Sequence, residues 1–190
     1  VRRRSRAAPV SSRPERAGRF LFRWRGLIGT VGFLVVFWFG QATIRTCLVG
    51  LPLLLAGLGL RVWAMGYIGI DARAGEVGAE VYVGSGPYRW FRLGAGSAAG
   101  HPLYFGNFLL VLGMLACLRP PALLGAAVVA LFLLEYLTIA RAEERFLGRK
   151  FRGMTRRDVG FEWARARAEW RTGVAVAAGF GLALLRALLF

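Results

Sequence analysis

Histidine, cysteine and acidic residues are all scarce in this chain of 190 residues. One histidine and two distant cysteines do not make a metal-ligand set, so no metal is implied. Nor do Cys47 and Cys117 describe a disulfide scaffold. They read as two buried thiols, with a single bridge as the alternative in an oxidising compartment. Ten Asp and Glu against 26 Lys and Arg leave a net charge of +16, yet only 19% of positions are charged. Apolar residues fill 56% of the chain and its mean hydropathy is +0.50, which excludes an ordinary soluble globule. A nucleic-acid binder shares the sign of the charge but does not need long apolar runs, so no nucleic-acid partner is expected.

What the chain does have is apolar segments of bilayer length, for which helix needs about 20 residues. They lie near 27–42, 47–67, 102–118, 121–139 and 173–190. The fold expected is all-α: a polytopic membrane helix bundle of about five transmembrane helices. Turns between the first and second runs, and between the third and fourth, are short enough for antiparallel hairpins, the latter at Pro120-Pro121. Residues 1–25, 68–101 and 140–172 hold 22 of the basic residues, and the opposite ends of the runs hold only Arg45 and Arg119. That split predicts an N-terminus inside and basic segments against anionic membrane lipid. The organisation expected is a basic, disordered arm over 1–25, a membrane domain over 26–160, and an interfacial helix with a fifth span over 161–190. In that last segment, Trp163 and Trp170 lie among arginines and read as an interfacial anchor.

All ten acids fall on the expected inner side or in the inner part of a run, so any chemistry belongs there. His101-Pro102 opens a helix, with Tyr104, Gly106 and Asn107 in its first turns. Such a helix start presents free backbone N–H groups. His101 reads either as a cap or as part of a site, and Tyr104 either as an interfacial aromatic or as a ligand contact. Arg141-Ala-Glu-Glu-Arg145 ends the fourth run. There Glu143 and Glu144 suit a cationic group or, with Arg141, a local ion pair. Glu135 lies inside the fourth run, where an acid either faces a polar cavity or pairs structurally with Arg61 in the second run. Gly94–Gly100 lacks the strand that a phosphate loop requires and reads as a flexible insert.

Two stretches taken together carry a family likeness. Gly86-Pro-Tyr-Arg89, with Arg92 beyond it, precedes His101-Pro-Leu-Tyr-Phe-Gly-Asn107, and one hairpin later comes Glu143-Glu-Arg-Phe-Leu147. This pattern resembles the isoprenylcysteine carboxyl methyltransferase family, integral membrane enzymes related to the phospholipid methyltransferases. The likeness spans about residues 51–151 and includes Gly59-Leu-Arg61-Val-Trp-Ala-Met-Gly-Tyr67. It implies an S-adenosylmethionine-dependent methyltransferase of a bacterial inner membrane, acting at the cytosolic face on a lipophilic or lipid-linked acceptor. On the match, His101, Tyr104, Gly106 and Asn107 line the cofactor. Tyr88, Arg89 and Arg92 belong to a covering loop, and Arg141, Glu143 and Glu144 hold the amino-acid end. Arg92 and Glu135 are the catalytic candidates. The family pattern has the Arg and the His adjacent, whereas Leu93–Gly100 separates them here. Phospholipid N-methylation and a non-catalytic membrane protein on the same fold are the alternatives.

Overall fold

The computed structural model describes residues 13–68, 85–91, 100–150 and 158–189, and within them there is helix and no strand. The helices are α1 (Arg13–Phe39), α2 (Ile44–Ile68), α3 (Pro87–Trp90), α4 (Pro102–Leu118), α5 (Ala122–Lys150), α6 (Trp163–Ala166) and α7 (Trp170–Leu189). A 3-10 turn, Arg167–Glu169, joins α6 to α7. The basic arm up to residue 12 and residues 93–99 of the insert lie outside the described residues, as do Arg92, Asp71, Glu76 and Glu80.

Among the described residues three helices are long and apolar enough to cross a membrane: Ile44–Ile68, Ala122–Arg145 and the continuous stretch Trp163–Leu189. Of the other two expected spans, α4 falls short of that length. α4 is apolar throughout but has 17 residues, about 25 Å of helix against a hydrocarbon core of about 30 Å. α1 is longer than its apolar run. It starts at Arg13, because Arg, Ala and Leu favour helix whether or not the turn is apolar. Leu34, Leu48, Leu55, Leu131, Leu134 and Leu185 are exposed around the bundle, the exterior that suits lipid rather than water.

α2 and α4 form the most extensive helix pair, antiparallel and closely apposed. Small residues recur on the facing stripes at heptad spacing, Gly50 and Gly57 on α2 opposite Gly113 and Gly106 on α4. A Cβ on Gly57 would lie 2.8 Å from the Gly106 carbonyl oxygen, and one on Gly113 would lie 2.9 Å from the Leu54 nitrogen. Cys47 and Cys117 sit in this contact as buried free thiols, the Cys117 Sγ 3.8 Å from the Cys47 carbonyl oxygen.

One end of the bundle is built from tight turns. Gln41 N–H donates to the Leu118 carbonyl (2.7 Å), and Arg119 takes a left-handed conformation to end α4. There Arg186 of α7 donates to the carbonyls of Phe37 (2.7 Å) and Trp38 (3.3 Å), placing a cation on the negative end of α1. The other end is where the longer connections meet. Phe161 lies against Gly66 and edge-on to Tyr67, and Glu162 N–H donates to the Gly66 carbonyl. Ser85 Oγ both donates to the Val159 carbonyl (2.8 Å) and accepts from its N–H (3.0 Å), tying the stretch before α6 to the stretch before α3.

Candidate functional site

The site candidates gather at that second end, where α4 begins and α5 leaves the apolar region. Pro102 occupies the first turn of α4, and its lack of an N–H costs nothing there. His101 caps the helix with its backbone only: its carbonyl accepts from Tyr104 and Phe105, and its side chain makes no capping bond. The imidazole is therefore turned to α5, with Nδ1 3.5 Å from Glu143 Oε2 and Nε2 3.6 Å from Glu144 Oε1. It stacks on Tyr104 with centroids 5.2 Å apart and an interplanar angle of 8°. The Tyr104 hydroxyl donates to Glu143 Oε2 at 2.8 Å, so that carboxylate faces both rings.

Although eight residues separate Arg92 from His101 in sequence, the chain on either side of them meets. His101 N–H donates to the Phe91 carbonyl at 2.6 Å, and Gly100 lies flat against the Tyr88 backbone, where a Cβ would overlap the Tyr88 carbonyl. Tyr88 is buried, in one cluster with Ala64 of α2, Leu103 of α4 and Val159. Burial pushes its hydroxyl well above the ordinary tyrosine range, and the Glu143 carboxylate pushes the same way. Gly86, which starts α3 at a φ of 57°, lies against the Tyr67 ring and permits this turn.

Two of the buried side-chain atoms in the cluster have no hydrogen-bond partner, Tyr88 OH and His101 Nε2. Native proteins rarely leave such groups unmatched, since each unmade bond costs about 1–3 kcal/mol. His101 Nε2 lies 3.6 Å from Glu144 Oε1, and the Glu143 charge acts on Tyr88, so the cluster offers donors and negative charge together. Arg89 and Arg141 are exposed; Arg89 lies 5.8 Å from the Trp90 ring centre. Arg92 is outside the described residues.

Beneath the cluster runs a second polar group. Arg61 of α2 does not pair with Glu135. It pairs with Glu169 in the turn before α7, through Nε (3.1 Å) and NH2 (3.0 and 3.2 Å). Glu169 is 1% exposed, so the stretch expected as a purely interfacial anchor also inserts an acid into the bundle. Trp163 and Trp170 on the same stretch are largely exposed. Arg61 also donates to Asn107 Oδ1, and Asn107 Nδ2 donates to the Tyr136 hydroxyl at 2.7 Å. Gly106 faces α2, where a Cβ would meet the Arg61 Cγ at 2.5 Å, so its small size makes room for this arginine stem.

Glu135 is buried on α5, about two turns before Glu143, with Oε1 unmatched and Arg25 of α1 within electrostatic reach. The same arginine acts on Tyr104 and Tyr136. Sequence reasoning missed Arg25, Tyr136 and Glu169. For Tyr136 a signal existed: a phenol within an apolar run needs a partner for its hydroxyl.

A groove of about 640 Å³ between α4 and α5, lined by Leu115, Arg119, Ala126, Val129 and Leu133 among others, lies toward the opposite end and contains none of these residues. Among the described residues no cluster of His, Cys, Asp and Glu could hold a metal. No family model, curated protein or solved structure matches the chain.

Proposed function

We propose that the chain is an integral membrane S-adenosylmethionine-dependent methyltransferase of the isoprenylcysteine carboxyl methyltransferase type, acting on a lipophilic acceptor at the inner leaflet. The observation that carries this reading is the cluster of His101, Tyr104, Glu143 and Glu144 around two unmatched buried atoms. S-adenosylmethionine brings a sulfonium, an ammonium and a carboxylate, and the cluster supplies carboxylates, donors and aromatic faces. The donor set therefore fits. The motif halves that resemble the family, 101–107 and 143–147, supply these residues from two helices, although 36 positions separate Asn107 from Glu143 in sequence.

In this reading Glu143 and Glu144 neutralise the cationic end of the cofactor, with Arg141 at the rim. Tyr88 and His101 Nε2 donate to its acceptor atoms, and Arg89 and Arg92 belong to the covering loop. Bound there, the cofactor supplies an electrophilic methyl group to a nucleophile. For a carboxylate acceptor, already ionised at neutral pH, the protein needs no general base. Its contribution is alignment and exclusion of water, with Arg92 steering the acceptor. Five spans with the N-terminus inside, in a bacterial cytoplasmic membrane, would set this cluster at the cytosolic face. The biased distribution of arginine supports that orientation.

A second reading, N-methylation of a phospholipid amine, is favoured by Glu135, whose buried carboxylate suits an ammonium. The two differ in pH dependence. An amine must lose a proton before attack, so its rate rises with pH, whereas a carboxylate already ionised gives no such slope.

Calorimetric titration of the detergent-purified protein with S-adenosylmethionine tests the common core of both readings. Micromolar binding is expected, weakened about 10-fold or more in His101→Ala and in Glu144→Ala. A folded wild-type protein that gives no heat sinks both.

A further inference from the structure

The chain of bonds beneath the cluster has a direction, and the direction singles out one atom. A guanidinium has donors and no acceptor, so Arg61 can meet only the oxygen end of the Asn107 amide. That fixes the amide: its nitrogen must face Tyr136, and it donates to the hydroxyl oxygen at 2.7 Å. The Tyr136 oxygen is thereby an acceptor, and its own proton must go elsewhere. Among the described residues no group accepts it. Tyr104 lies differently, since its hydroxyl already donates to Glu143.

Tyr136 nevertheless belongs to the cluster, because its ring meets Tyr104 edge-on at 5.1 Å and stacks on Phe132 at 4.2 Å. The adjacent Glu135 carboxylate acts on it, opposed by the guanidinium groups of Arg25 and Arg61. A donor at the end of a chain polarised by the Arg61 guanidinium is best matched by an anionic oxygen.

We propose that Tyr136 is a ligand-binding residue, its hydroxyl donating to a carboxylate of the bound molecule, and that Glu169, Arg61 and Asn107 are positioning residues that fix the direction of that donation. This rests on the methyltransferase reading, in which both the cofactor and an acid acceptor carry a carboxylate. Glu169 holds the guanidinium through both carboxylate oxygens, leaving NH1 aimed at Asn107. The relay thus runs from the turn before α7, across α2 and α4, to α5.

Two variants separate direction from mere packing. Tyr136→Phe removes only the hydroxyl. Asn107→Asp keeps an oxygen for Arg61 but puts a second oxygen where the amide nitrogen was, so the Tyr136 proton turns back toward residue 107. Both variants, their double mutant and the wild type are titrated with S-adenosylmethionine, with decarboxylated S-adenosylmethionine, and with a farnesyl thioether carboxylic acid in the presence of S-adenosylhomocysteine. If the carboxylate is the cofactor's, each variant binds S-adenosylmethionine about 10- to 100-fold more weakly, and the decarboxylated form does not distinguish them from wild type. If it is the acceptor's, the same loss appears only with the farnesyl acid. In either case the double mutant loses no more than the larger single loss. Wild-type affinity for all three probes in both variants overturns the proposal and leaves the methyltransferase reading standing. A wild-type protein that binds none of the probes overturns both.

Discussion

Glu169→Ala is expected to destabilise the folded protein by about 3–5 kcal/mol, among the largest effects of any single change in the chain. The reason is what remains behind. The Arg61 side chain, 11% exposed, is enclosed by α2, α4 and the turn before α7, and Glu169, at 1% exposure, is its counter-charge. Truncating the acid leaves a guanidinium without its carboxylate in a region too dry to solvate it. Glu169→Gln retains an oxygen for Arg61 and should lose less. Replacing both partners, as in Arg61→Met with Glu169→Leu, should also lose less than Glu169→Ala alone, because no charge is stranded. Thermal unfolding in detergent micelles checks all three, and equal melting points for Glu169→Ala and wild type would remove the pair from the account of stability.

Gly57→Leu should cost about 1–3 kcal/mol by forcing α2 and α4 apart. A Cβ there meets backbone, the Gly106 oxygen at 2.8 Å and the Leu110 nitrogen at 3.0 Å, and backbone cannot step aside as a flexible side chain can. Separation of these helices also lengthens the reach from Arg61 to Asn107, so ligand affinity should fall along with stability. Gly59 provides the control on the same helix: it is exposed and has open space around its missing Cβ. Gly59→Leu should be neutral or stabilising, since glycine is the poorer helix former. Equal losses at positions 57 and 59 would show that helix propensity, not close approach, sets the effect.

Much of the architecture was legible because it is local. The turns around residues 40 and 120, the helix start at Pro102 and the continuation of α5 past Ile139 follow from apolar run lengths and from where proline and charge fall. The approach of His101 to Glu143 and Glu144 was also expected, although only through the family likeness, which joins motifs that no periodicity connects. The partner of Arg61 was not legible. A cation inside an apolar run demands an acid, and the sequence places Glu135, but not Glu169, within a run. Helix adjacency decides between them: α2 touches the turn before α7, whereas α5 packs chiefly on α1. Glu169 was further concealed by its neighbours, since Arg167, Trp170 and Arg171 give the segment the composition of a surface helix. Hydropathy also misplaces the start of α1, because helix begins where the backbone permits it and an apolar face begins where lipid demands it.

The most direct test of the central claim is ultraviolet photolabelling of the membrane-embedded protein with radiolabelled S-adenosylmethionine, followed by peptide mapping. Label is expected in the segments 85–91, 101–107 or 141–145, suppressed by excess S-adenosylhomocysteine. Suppressible label confined to the apolar groove between α4 and α5, around residues 115–133, would contradict it, as would the absence of any suppressible label.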